Sequence, residues 1–182
     1  MLPLLVVTGE SGSGKTTLIA KIVKELVSRN YKIGVIKHSP HHPGLEEEGK
    51  DTWQYSRAGA AIICLATDRQ LYVIKESHGQ QMPEELLQNF VGMDLVLAEG
   101  YKWRRGENTP VLEIVKEGQK KRYSQNPIAL VKSFSTQGLV QGTQDLLYFH
   151  CNDINGICGL IEEKMLAKEE TTPCLDETHQ SL

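Results

Sequence analysis

The octapeptide Gly9-Glu10-Ser11-Gly12-Ser13-Gly14-Lys15-Thr16 constrains this chain more than any other segment. It fits the pattern G-x-x-x-x-G-K-[ST]. Before it runs a continuous apolar stretch, Leu4 to Val7, and after it Leu18, Ile19, Ile22, Val23, Leu26 and Val27 recur at helical spacing. Apolar residues without polar alternation mark a strand buried on both faces, and such a strand followed by an amphipathic helix begins a parallel crossover unit. Glycines let the intervening backbone curl so that successive N–H groups converge. The helix start adds partial positive charge at the same point. The segment therefore implies a cradle for the polyphosphate of a nucleoside triphosphate, with Lys15 reaching the β- and γ-phosphates and the Thr16 hydroxyl facing Mg²⁺, a cation that takes oxygen ligands.

The same alternation continues. Lys32 to Lys37 reads as a strand, His38 to Lys50 as a long loop, and Asp51 to about Arg57 as a short helix. Ala61 to Ala66 and Leu71 to Lys75 flank Thr67-Asp68-Arg69-Gln70 as a hairpin. Pro83 with Glu84 and Glu85 starts a helix whose buried side is Leu86, Leu87 and Phe90, and Leu95 to Ala98 is a further buried strand. Val111 to Lys116, Ile128 to Val131 and Leu146 to Phe149 complete the strands, and Asp153 caps a last helix ending near Lys168. This order predicts an α/β fold: one three-layer P-loop NTPase-like domain over residues 1–168, with a mostly parallel sheet and an added β-hairpin. The polar residues 169–182 are expected to be a disordered tail.

Composition narrows the function classes. With 182 residues, 40% of them hydrophobic, the chain suffices for one domain with a true core. Twenty basic against 23 acidic residues leave a net charge of −3, which gives no global positive field for nucleic acid or an anionic membrane. No run approaches the ~20 apolar residues that span a bilayer, and the N-terminus lacks the basic flank of a signal peptide. Cys64, Cys151, Cys158 and Cys174 form no CxxC pair, which fits free thiols in a reducing cytoplasm, with Cys64, Cys151 and Cys158 as core packing.

A second acidic residue is needed to hold the metal. Glu99 ends the strand Leu95 to Ala98 at the edge where ligands bind in open α/β sheets, and Asp94 begins it on the far side. Glu99 is therefore the metal candidate, and Gly100 beside it allows close approach to the γ-phosphate. Asp51 has two readings, a contact to metal-bound water or a helix cap. Lys102, Arg104 and Arg105 are placed to meet an anionic ligand or partner, or form a solvated loop. His38, His41 and His42 are candidates for metal, phosphate or substrate contact, against solvent-exposed histidines. Zinc fits poorly, because no further tetrahedral ligands are at hand. No residue stands out as a catalytic base, so the catalytic role is left unassigned and hydrolysis is expected to be slow.

Four segments in order, GESGSGKTT, VIKHSPHH, DTWQYSRAGA and DLVLAEGYK, resemble the bacterial molybdopterin-guanine dinucleotide biosynthesis adapter (MobB) family over most of residues 1–165. The resemblance implies a GTP-binding adapter with weak intrinsic hydrolysis, assisting the guanylyltransferase that forms the guanine dinucleotide of the molybdenum cofactor. It also implies a homodimer with sheet contacts between subunits and molybdopterin cofactor as a candidate ligand. Carried onto this sequence, the family pattern puts the triphosphate at Gly12, Gly14, Lys15, Thr16 and Thr17 and metal or γ-phosphate contacts near Glu99 and Gly100. It adds Lys37, His38 and Asp51 as site residues. No [NT]KxD motif is present: Val131-Lys132-Ser133 stands in its place, with Lys132 available to stack on a base. Asp153 is either a guanine acceptor or a helix cap. Taken without the resemblance, the residues also accommodate a stand-alone small-molecule kinase or ATP-dependent ligase, or a binding module that pairs through its hairpin.

Overall fold

A computed structural model describes residues 1–39, 48–77, 79–102, 106, 108–119, 122–132 and 146–167. Within them the strands are β1 (Leu4–Gly9), β2 (Ile33–Lys37), β3 (Ile62–Ala66), β4 (Leu71–Lys75), β5 (Leu95–Glu99), β6 (Val111–Val115), β7 (Ala129–Lys132) and β8 (Leu147–His150). The helices are α1 (Lys15–Ser28), α2 (Asp51–Arg57), α3 (Pro83–Leu86), continued by a 3₁₀ turn Leu87–Asn89, and α4 (Ile154–Ile161), continued by a π-helical segment Glu162–Leu166.

Six strands form one parallel sheet in the order β2-β5-β1-β6-β7-β8, and β3 and β4 form a separate antiparallel pair. All residues of β1, β6 and β7 are buried, as their apolar runs require for strands covered on both faces. One face packs against α1 and α4: Leu18, Ile19, Ile22 and Leu26 meet Leu5, Val7, Leu97, Ile157 and Ile161. Burying each such side chain contributes about 1.5–3 kcal/mol. The opposite face, with Val6, Ile36, Val96, Ala98 and Tyr101, is covered among the described residues by Leu86, Leu87 and Phe90 of the short α3 segment. Helix α1 stops where Asn30 turns left-handed at φ 68° and the Tyr31 N–H donates to the Leu26 carbonyl at 3.1 Å.

Most predicted strands lie within a residue or two of their expected bounds. Asp153 caps α4 as read, its Oδ1 accepting the Gly156 N–H at 3.0 Å. Two expectations are corrected. Asp51 is the first helical residue of α2 and Lys50 holds the cap position, so Asp51 is an acidic residue of the first turn rather than the cap. Cys64 is exposed because its strand belongs to the hairpin, which stands apart from the main sheet. Cys158 is buried and Cys151 half-buried, and burial pushes the Cys158 thiol up to about 11. Residues 169–182, including Cys174, lie outside the described residues.

Candidate phosphate and metal site

The parallel sheet brings the carboxyl ends of β2, β5, β1 and β6 to one edge, and the site is built there. From β1 the chain enters Gly9 to Gly14 and then α1, whose first hydrogen bond runs from the Leu18 N–H to the Gly14 carbonyl at 2.9 Å. Gly9 is required by space: a Cβ at this position would lie 2.6 Å from the Ile114 carbonyl oxygen and 2.9 Å from Ser13 Oγ. The loop thus passes hard against β6. Lys15 curls back over the loop, its ammonium donating to the carbonyls of Glu10 at 2.7 Å and Gly9 at 3.2 Å. Ser13 Oγ is buried without a hydrogen-bond partner.

Glu99 ends β5 in register with Val7 of β1 and Lys37 of β2. Both of its carboxylate oxygens accept from the Thr16 hydroxyl, at 2.9 and 3.0 Å, and Lys37 Nζ stands 3.9 Å from Oε1. A hydroxyl and a carboxylate facing each other beside a phosphate cradle are the hard-oxygen donor set that Mg²⁺ takes, so the residues present fit that ion. Gly100 follows at φ 99°, a left-handed conformation open to glycine, and its N–H donates to the Val7 carbonyl at 3.1 Å. His38, after β2, donates its N–H to the Glu99 carbonyl at 3.1 Å and sets its ring 5.2 Å from that of Tyr101.

The site's charge is lopsided. Burial pulls the Lys15 pKa below its ordinary value, and the neighbouring charges of Lys102, Lys116 and Lys37 pull it further, while Glu99 works against them. Three further ammonium groups against one carboxylate act on Lys15, a balance that suits a polyanion.

The family model described as "Molybdopterin guanine dinucleotide synthesis protein B", MobB, matches residues 4–133. The chain belongs to the MobB family. Among the most similar MobB relatives is a molybdopterin-guanine dinucleotide biosynthesis adapter protein of Haemophilus influenzae, 43% identical over 56% of this chain and 58% of that protein. The protein of the same description from Escherichia coli is 35% identical over 56% of this chain and 61% of its own length. The alignment thus spans about three fifths of these relatives. The crystal structure of Bacillus subtilis MobB superposes with a TM-score of 0.67 at 25% identity, covering 92% of this chain and 100% of that one.

Not every predicted residue reaches the phosphate loop. Lys37, His38, Glu99 and Gly100 converge on the loop, and Lys102 is felt at Lys15. Asp51 sits exposed at the start of α2, and no group of three or more His, Cys, Asp and Glu side chains forms a metal cluster among the described residues. His41, His42, Arg104 and Arg105 lie outside the described residues. Lys132 is buried, its ammonium 3.7 Å from the centroid of the Tyr148 ring, and burial lowers its pKa. Asp153 spends one oxygen on its cap. Two residues were missed from sequence. Lys116 reads only as the end of a strand, although a cation just beyond a strand at the ligand-binding edge is a usable signal. Glu113, fully buried in β6, was visible as a carboxylate inside the apolar run Val111-Leu112-Glu113-Ile114-Val115.

Proposed function

We propose that this chain is a GTP-binding adapter in molybdenum cofactor biosynthesis, acting beside the guanylyltransferase that forms molybdopterin guanine dinucleotide. The observation that carries the reading is the Thr16–Glu99 pair beside a phosphate loop in a chain of the MobB family. Gly9 to Thr17 would hold the triphosphate with their amides and Lys15. Thr16 and Glu99 would hold Mg²⁺, which neutralises the β- and γ-phosphates, and Gly100 would face the γ-phosphate. Lys37, His38, Lys102 and the segments bearing His41, His42, Arg104 and Arg105 are proposed to meet the cofactor or the partner enzyme. The guanine preference is supported by the relatives, described as molybdopterin-guanine dinucleotide biosynthesis adapter proteins, not by a base-reading carboxylate. With no residue poised to activate water among the described residues, hydrolysis would be slow.

We also propose a cytoplasmic homodimer joined through β3 and β4. Ile62, Leu65, Leu71, Tyr72 and Val73 are exposed there, and the pair hydrogen-bonds to no other strand among the described residues. Two measurements test the adapter reading. Equilibrium binding to purified protein should show Mg²⁺-dependent GTP affinity that Lys15→Ala abolishes, and adding the protein should accelerate guanylylation of molybdopterin by the guanylyltransferase. Unchanged affinity in Lys15→Ala removes the site. No acceleration at saturating GTP removes the adapter role.

A further inference from the structure

The loop after β6 supplies a second lysine to the phosphate loop. Lys116, one residue past β6, donates its ammonium to the Ser11 carbonyl at 2.6 Å across 105 positions of sequence. A Cβ on Gly12 would meet that Nζ at 3.7 Å. The ammonium therefore lies over the Ser11–Gly12 crest of the loop, opposite Lys15 on the Gly9 and Glu10 carbonyls.

This placement is built, not accidental. Residues 116–119 form a closed turn, with the Gln119 N–H donating to the Lys116 carbonyl at 3.2 Å and the Lys116 N–H donating to Gln119 Oε1 at 3.2 Å. The turn hangs on the buried Glu113, whose carboxylate accepts the N–H groups of Tyr123 at 2.9 Å and Ser124 at 3.0 Å and the Gln119 side-chain amide at 3.4 Å. The same carboxylate anchors the backbone of Tyr123, and the Lys102 ammonium sits 4.3 Å from the centroid of that residue's ring. One buried acid thus anchors the segment that carries Lys116, and the charges of Lys116 and Lys102 both depress the Lys15 pKa. Bringing like charges together costs free energy in the empty loop, and a polyanion recovers it. The Ser11 carbonyl uses one of the three donors an ammonium carries.

We propose that Lys116 is a second phosphate-contacting cation, which meets the β- and γ-phosphates from the β6 side while Lys15 meets them from the helix side. The proposal rests on the nucleotide-binding reading above. It is tested by measuring Mg²⁺–GTP affinity for the full chain and for Lys116→Gln, Lys116→Arg and Lys15→Ala over a range of salt concentrations. Loss of a charge-assisted contact predicts a roughly ten- to hundredfold weaker affinity in Lys116→Gln, with Lys116→Arg close to the unsubstituted chain. Removing a cation that touches phosphate also flattens the salt dependence. Lys116→Gln with unchanged affinity overturns the proposal and leaves the phosphate loop standing. Weakened affinity with an unchanged salt slope assigns Lys116 to shaping the loop, and overturns the contact. If the unsubstituted chain binds no GTP, or Lys15→Ala binds it equally, the site itself falls and the proposal with it.

Discussion

Lys15 carries its charge where the fold disfavours it. Burial is the largest cause, followed by Lys102, with Glu99 opposing and Lys116 and Lys37 adding to the depression. The sign follows directly. In the folded chain the charged form is penalised, so the cost to folding is fully present below the depressed pKa and disappears above the ordinary value of 10.5. A bound polyphosphate reverses the environment, raising the Lys15 pKa again. Between the free and bound values, binding must therefore take up a proton, and affinity must fall as pH rises through that window. Titration calorimetry with GTP in two alkaline buffers of different ionisation enthalpy should give different apparent heats. Equal heats would mean that Lys15 does not gain an anionic neighbour on binding.

At the scale of elements, β6 carries more than its length suggests. Glu113 is wholly buried, yet it accepts two backbone N–H groups and an amide, which is how a carboxylate is made tolerable inside a sheet. Glu113→Gln keeps the volume but turns an acceptor into a donor facing N–H groups. Denaturant unfolding should show a loss of about 2–3 kcal/mol, from weakened charge-assisted bonds and unsatisfied donors. A change within a few tenths would show that the turn of residues 116–119 and the Tyr123 and Ser124 amides are held by something else. Strands such as Leu95–Glu99 could be read from sequence because burial on both faces leaves an unbroken apolar run, and the phosphate loop because its chemistry is local. Lys116 could not be read in that way. Its contact with Ser11 exists because β6 lies beside β1, and an order of β2-β5-β1-β6 is set by how crossovers pack, not by any short pattern. Asp51 shows the opposite limit: its composition signal was right for a helix start, but whether a carboxylate caps or opens a helix depends on one backbone dihedral pair.

For the whole molecule, the hairpin is the part the single chain leaves unfinished. β3 and β4 pair only with each other among the described residues, and an isolated two-stranded sheet is marginal in water. Cys64, Ala66, Leu71 and Val73 share one face, since Cys64 lies opposite Val73 and Ala66 opposite Leu71, and all four are exposed. An apolar groove lined by Tyr55, Ala58, Gly59, Ala60, Ile62 and Ile63 adjoins the hairpin's base. A two-fold interface repeats one patch on both copies, so packing hairpin face on hairpin face buries these side chains on both copies at once. Stable dimers bury roughly 1,600 Å² in total, which needs a hairpin face together with the adjoining groove. Leu71→Lys with Val73→Lys places two like charges on that face. Neither residue is buried in the single chain, so folding should survive while the dimer does not. Sedimentation velocity at micromolar concentration should show a dimer for the unsubstituted chain and a monomer for the double variant. GTP affinity should stay unchanged, because each copy carries its own Gly9-to-Thr17 loop, Glu99 and Lys116. A double variant that sediments with the unsubstituted dimer would place the interface elsewhere, and a monomeric unsubstituted chain would remove it.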